Sequence, residues 1–482
     1  MIEELLPSKP FFERYEFKGN LWKNNEVADN LQIIIQYSQI NEGEIDGKVL
    51  GSQETFKRLE RLFTLPGYLF RLASKKHEGI TTEIFSDNVL IPTISNKNWP
   101  DSYAERMMSV VADLHFQDLT IIQHASLSES IDRHLTFFLA GPQTSWSISQ
   151  MRELSLTGEM KTEVVNSKIE LSESFPFEIE VVPRYFYGKA TTPENTELST
   201  YILALHLKTD KSVKELSNED FVSLGRALAD DLTLLISFLS KRWVTWFRYE
   251  LGTSDGIKSY VRRTRECSTK EINSEDCLLE LANTREFLKI GLTNFRRLRA
   301  ENFDLFMPIV YFVSGSEKKY LEEQFTTYFL SLERLKDIFA RKKELQHNLL
   351  DKTFKNLKSL VSKVIKESIQ TDDVLERIME KISELNRPSL SFLLNSLFST
   401  YDVDWKDIYP QGSKFTLIRT RNKLFHSSEE LNIDLLVKEV RRLQTILERL
   451  LLRMLGWEDL SCSPRDFMKR WLIAQENSKN NA

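Results

Sequence analysis

Six consecutive residues near the carboxy-terminal end, Arg421-Asn422-Lys423-Leu424-Phe425-His426, bring a guanidinium, an amide and an imidazole into one short stretch. These are the groups with which RNA can be cleaved without a metal. An arginine lays two parallel N–H donors on a phosphate, and a histidine, titrating near pH ~6.5, exchanges a proton at cellular pH. On a helix Asn422, four residues before His426, stands on the same face and can fix the imidazole or its tautomer, whereas Arg421 lies about 140° around from it. A helix carrying this set must therefore end or bend near the histidine. The polar run Ser427-Ser428-Glu429-Glu430, ahead of the next apolar period, predicts that end.

Spacing alone does not single the stretch out. Arg71 with His77 and Arg341 with His347 also pair an arginine with a nearby histidine, there across five intervening residues, but only Arg421 is followed by asparagine. The remaining histidines point elsewhere. His77, His115, His124, His134 and His206 are scattered over separate predicted strands and loops without ligand spacing, so they read as structural or surface residues. The three cysteines, Cys267, Cys277 and Cys462, fit a reducing compartment and cannot alone complete a four-ligand zinc site. Neither Cys-x-x-Cys nor His-x-x-x-His occurs, so the expectation is chemistry with no metal and no cofactor.

The chain that positions these groups has 482 residues, 41% hydrophobic and 28% charged, which is enough for two to four domains. The longest apolar run, Leu232 to Leu239, falls well short of a membrane span. The amino terminus lacks the basic start and apolar core of a signal peptide, so a cytoplasmic location and no membrane partner are expected. The net charge of −5 is unevenly spread: from Gly315 onward Lys and Arg outnumber Asp and Glu by 29 to 25, while the first 314 residues hold 36 against 45. A basic end on an acidic body suits contact with RNA, and ordinary surface variation gives the same balance.

The first 210 residues alternate with a period of two. Ile33, Ile35 and Tyr37 alternate with Gln32 and Gln36, Phe177, Ile179 and Val181 with Glu178 and Glu180, and Tyr201, Leu203, Leu205 and Leu207 keep the same rhythm. Further strands are predicted within 68–73, 108–123, 135–140, 146–156 and 163–171, giving a mainly antiparallel, half-buried sandwich or barrel-like domain.

Near Ser212 the period lengthens to about 3.6. Phe221, Leu224, Leu228, Leu232, Leu235 and Leu239 make one helical face, and Ser217 with Asp220 forms a capping-box-like start. Trp243-Val244-Thr245-Trp246-Phe247 reads as a strand or a buried connection whose aromatics belong to a core rather than to a base-stacking platform. Two arginine clusters, Arg262-Arg263-Thr264-Arg265 and Arg296-Arg297-Leu298-Arg299, are either phosphate-tracking or simply solvated. Ser314-Gly315-Ser316 predicts a break.

After that break the pattern is helical nearly throughout. Leu321, Phe325, Tyr328, Leu332, Leu335 and Phe339 form the seam of a long helix. Helices over 374–385 and 390–398 follow, then the motif helix, roughly 413–426. A last long helix is lined by Ile433, Val437, Val440, Leu443, Leu447, Leu450 and Met454 and stops at Gly456. Short connections fold such helices into an antiparallel bundle. A short basic helix at Phe467, Met468 and Trp471 and a disordered end complete the expected tail.

With its motif and bundle, the segment from about Gly315 to Trp457 resembles the HEPN superfamily, whose ribonucleases carry Arg-x(4 to 6)-His, often with Asn after the Arg, near the last long helix. The layout of a β-rich amino-terminal region and a carboxy-terminal HEPN bundle resembles the ApeA-type anti-phage proteins. The resemblance implies an endoribonuclease that uses the substrate's own 2′-hydroxyl, with His426 as general acid or base, Arg421 stabilising transition-state charge and Asn422 orienting His426 or the phosphate. It further implies an RNA substrate, a homodimer that brings two motifs to one cleft, a role in abortive infection, and a phage-derived trigger sensed by the amino-terminal region. The expected domains are a β-rich sensor at 1–210, a mainly helical middle region at 211–314, the HEPN-like bundle at 315–460 and a tail at 461–482. The alternative is a non-catalytic HEPN-type module that binds RNA or a protein partner. A third reading, a carbohydrate- or peptide-recognising β domain with a structural helical tail, places the binding pocket in the first 210 residues.

Overall fold

In the computed structural model the described residues are 12–23, 26–38, 45–52, 75–77, 80–86, 89–90, 94–97, 109–124, 133–141, 149–154, 160–165, 168–169, 177–189, 197–209, 216–264, 277–279, 281–368, 378, 381–382, 386–409, 416–426 and 432–458. The protein combines antiparallel sheets with helices in an α+β fold. It divides into two compact units, residues 1–276 with 284–289 and residues 277–283 with 290–482.

The first unit is built on strands. In chain order they are β1 Phe12–Lys23, β2 Glu26–Ser38, β3 Ile45–Ser52, β4 Lys75–His77, β5 Ile80–Phe85, β6 Val89–Leu90, β7 Ile94–Lys97, β8 Ser109–Phe116 and β9 Asp118–His124. After them come β10 His134–Ala140, β11 Ser149–Leu154, β12 Met160–Val165, β13 Lys168–Ile169, β14 Phe177–Lys189, β15 Glu197–Thr209, β16 Thr245–Thr253 and β17 Gly256–Arg262. Six strands form one sheet, β1-β2-β3-β8-β6 with β7 also on β8, and nine form another in the order β13-β14-β15-β10-β16-β17-β9-β5-β4. A separate pair joins β11 to β12. Among the described residues neither large sheet closes into a barrel, which corrects the barrel-like expectation.

The half-buried expectation is corrected as well. In β2, Ile33, Ile34, Ile35, Gln36 and Tyr37 are all buried, and so are Leu135 to Ala140 in β10. Both faces of these strands are covered, so alternation in the sequence does not translate into an open face. On one side of β10, helix α1 (Asn218–Ser240) comes so close that a Cβ on Gly225 would stand 2.3 Å from Leu135 Cδ2. On the other side Arg248, from the larger sheet, lies over Phe138 at 4.1 Å and over Tyr37 of β2 at 5.8 Å. Helix α1 begins as its sequence predicts: Ser217 Oγ accepts from Asp220 N at 3.1 Å.

The middle region, 211–314, holds helices Asn218–Ser240 and Leu281–Ala300 and also the two strands β16 and β17. β16 pairs with β10, and β17 with β9, so residues up to Arg262 complete the nine-stranded sheet and belong to the first unit. Their partners lie a hundred or so residues earlier, and local periodicity carries no signal of such pairing. The aromatic run there is core: Trp246 and Phe247 are fully buried. The arginine clusters are engaged within the protein. Arg262 stacks on Trp246 at 3.3 Å, Arg299 lies over Phe295 at 4.5 Å, and Arg297 pairs with Glu301 at 2.8 Å.

The described elements of the second unit are helices: the continuation of α2 (Leu281–Ala300), then α3 Phe306–Glu317, α4 Leu321–Lys342, α5 Asp351–Ser368, α6 Leu390–Thr400, α7 Thr416–His426 and α8 Ile433–Met454. The α4 seam is buried at Phe325, Tyr328, Leu332, Leu335 and Phe339, as its spacing predicts. Ser314-Gly315-Ser316 is not a break but lies inside α3. Gly315 serves close packing there, since a Cβ would approach the Tyr328 ring to 2.7 Å, and Tyr328 Oη donates to Ser316 Oγ at 3.0 Å. Helix α5 was not anticipated. The strand expected at 68–73 and the tail from 461 lie outside the described residues, and the helix expected at 374–385 does so apart from 378 and 381–382.

Helix α8 stops as its glycine predicts. Gly456 has φ +88°, its N–H donates to Arg453 O at 3.0 Å, and the Trp457 N–H donates to Leu452 O at 2.9 Å. That is a Schellman closure, which satisfies two carbonyls the helix end leaves unpaired. No helix among the described residues is long and apolar enough to cross a membrane.

Candidate functional site

Arg421, Asn422 and His426 all lie on α7, and His426 is its last residue. The helix holds its place through a seam of i, i+3, i+4 and i+7 positions: Leu417 and Thr420 are buried, and Arg421 and Leu424 are half-buried on the same edge. Asn422, one step around, is exposed. The Arg421 guanidinium therefore emerges from the packing edge, 5.9 Å from the Phe329 ring of α4. Its Nη1 donates to Asn422 Oδ1 at 3.1 Å. In this contact the asparagine carbonyl orients the arginine, and its amide N–H groups remain as donors.

Beneath the start of α7 lies a polar cluster that sequence reasoning missed. Glu439 of α8 is fully buried, accepting from Tyr409 Oη at 2.9 Å, from Arg442 Nη1 at 2.7 Å and from Thr416 Oγ1. Arg442 is also buried, donates to Thr416 Oγ1 at 3.2 Å and lies 4.9 Å from the Tyr409 ring. Burial and the neighbouring Glu439 carboxylate hold the Tyr409 hydroxyl well above the usual tyrosine range, so it stays a donor. Thr416 is the first residue of α7, so the cluster fixes where the motif helix begins.

The segment leading to α7 is tied down as firmly. Arg449 of α8 grips Asp407 with two bonds of 2.8 and 2.7 Å and donates to Asp404 O at 2.6 Å. Such a two-pronged contact fixes geometry as well as charge. A signal for the cluster was present in the sequence. Glu439 stands between Leu436 and Leu443 on the inward side of α8, three and four residues from each, and a carboxylate at such a position must find partners.

The Arg341 and His347 pair is placed differently: Arg341 is next to last in α4, where its Nε donates to Asp337 O at 3.3 Å, and His347 is exposed. Among the five scattered histidines, β-pairing brings two together. His134 and His206 have ring centroids 5.4 Å apart, and His206 Nδ1 is 2.7 Å from Thr136 Oγ1. Among the described residues no group of three or more His, Cys, Asp or Glu is arranged to hold a metal ion. Taken together, α7 presents a guanidinium steadied by an amide, with an imidazole-bearing residue at the helix end. No family model matches the chain, and neither does any curated protein or solved structure.

Proposed function

We propose that this chain is a metal-independent endoribonuclease, with the helical second unit as a HEPN-type catalytic bundle acting in the cytoplasm in anti-phage defence by abortive infection. What supports the reading is one arrangement: Arg421 and Asn422 are hydrogen bonded on a helix whose last residue is His426 and whose first residue, Thr416, is tied into the buried Glu439–Arg442 pair. The attacking group is the substrate's 2′-hydroxyl. Its oxygen bonds to the adjacent phosphorus, the bond from phosphorus to the 5′-oxygen breaks, and the products are a 2′,3′-cyclic phosphate and a 5′-hydroxyl. His426 transfers a proton, taking it from the 2′-hydroxyl or giving it to the leaving oxygen. Arg421 stabilises the charge that builds on the phosphoryl oxygens, and Asn422 keeps its fork aimed. In-line transesterification benefits from a second proton-transferring group, which a homodimer supplies by turning two copies of α7 toward one cleft.

The test is incubation of the purified protein with total RNA in EDTA, followed by mapping of the ends. Cleavage leaving 2′,3′-cyclic phosphate and 5′-hydroxyl ends is expected. Saturable RNA binding without cleavage would replace this reading with that of a non-catalytic binding module.

A further inference from the structure

Within the first unit, a cavity of about 480 Å³ opens between the first two turns of α1 and the strands β9, β16 and β17. Its volume falls in the range of small-molecule sites, roughly 300–1,000 Å³. The sheet side is one continuous face, because the register sets Tyr249 opposite Tyr260, and Leu251 opposite Lys258. The helix side carries Glu219, Val222 and Arg226.

Four polar groups on these walls are unspent among the described residues. Arg226 is held by ring contacts, 5.5 Å from Trp246 and 5.6 Å from Tyr260, and has no hydrogen bond or ion pair among the described residues. Lys258, Glu219 and the hydroxyl of Tyr249 likewise have none among those residues. Tyr249 itself is buried and stacked on Tyr260, with centroids 5.2 Å apart at 23°. Burial pushes its pKa up to about 12, which keeps the hydroxyl a donor. A guanidinium resting beside two rings is partly restricted, so less entropy is lost when it grips an anion.

The charges are also sorted by position. Arg226 lies beside the Tyr260 ring, Lys258 is two residues from Tyr260 along β17, and Asp255 sits in the turn between β16 and β17. Glu219, seven residues before Arg226, stands on the same face of α1 about 10 Å along the axis. A ligand that satisfies both ends needs an anion able to take a planar fork, a body that packs on Tyr249, Val222 and Leu251, and hydrogen-bond donors about 10 Å from the anion. We infer that this cavity binds a small phosphate monoester of the nucleoside monophosphate class, with its phosphate on Arg226 and Lys258 and its polar donors on Glu219.

Titration calorimetry on the full chain, with adenosine monophosphate, adenosine and inorganic phosphate as probes, tests the inference. Adenosine monophosphate should give saturable heat, and adenosine should bind at least ~10-fold more weakly. Arg226→Gln should lower affinity for the monophosphate at least ~10-fold and leave that for adenosine unchanged, and Glu219→Gln should weaken both. Both residues are exposed, so the variants keep the wild-type circular dichroism and unfolding midpoint. Absence of saturable heat with the monophosphate at millimolar concentration, equal affinity for monophosphate and adenosine, or wild-type affinity in a folded Arg226→Gln protein would overturn it.

Discussion

Tyr409 donates its hydroxyl to Oε2 of Glu439 at 2.9 Å, across 30 residues of chain, and both side chains are buried. The pair joins the segment before α7 to the helix after it, and Arg442 supplies the countercharge at 2.7 Å. Removing one partner of a buried ion pair costs on the order of 3–5 kcal/mol, because the other charge is stranded. Glu439→Ala should therefore unfold the second unit at markedly lower denaturant concentration than wild type, measured by fluorescence. An unchanged midpoint would show that the cluster does not hold α7.

Arg421→Ala and His426→Ala should each lower RNA cleavage by at least ~10²-fold, the loss expected for a charge-stabilising or proton-transferring group. Arg421→Lys should rescue poorly, since an ammonium cannot reproduce a planar two-pronged contact. His347→Ala and added EDTA should leave the rate near wild type. Circular dichroism of each variant separates lost chemistry from lost fold. Cleavage that survives in His426→Ala would move the search for the active residues elsewhere.

The proposed chemistry also expects a dimer. Sedimentation at micromolar concentration should give twice the monomer mass of 56.4 kDa. Mixing His426→Ala chains with wild type in increasing proportion should depress activity more steeply than dilution alone. A strict monomer with full activity rules out the shared cleft.

Gly315→Leu should destabilise the second unit by about 1–3 kcal/mol, the usual cost of overpacking a filled interface. A Cβ at this position already meets the Tyr328 ring at 2.7 Å. Thermal unfolding followed at 222 nm reads the shift, and a wild-type midpoint would mean that α3 and α4 separate freely.

Tyr37, Tyr328 and Tyr409 are all raised above the ordinary tyrosine range, chiefly by burial. An unfolded chain releases these protons near pH ~10 while the folded chain keeps them. Stability is therefore fully present below pH ~10 and falls as pH rises above it. Absorbance at 295 nm should show these tyrosines ionising only together with alkaline unfolding. Smooth ionisation of every tyrosine in the still-folded protein would contradict the burial.

By itself the sequence determined the local features, because each depends on neighbours a few residues away. The seam of α4, the Ser217 cap of α1, the strand at Phe177, and the end of α8 at Gly456 all follow from spacing, capping chemistry or a positive φ. The candidate residues Arg421, Asn422 and His426 could be selected for the same reason, since their chemistry is written within six positions. Only the tertiary structure decided what depends on distant partners. It made Thr245–Thr253 a central strand by pairing it with His134–Ala140, covered both faces of β2 and β10, and turned the glycine at 315 from an expected break into a helix contact. It also buried Glu439 under Thr416 and turned Asn422 toward Arg421, because side-chain partners are chosen by packing between elements, which no single segment of sequence specifies.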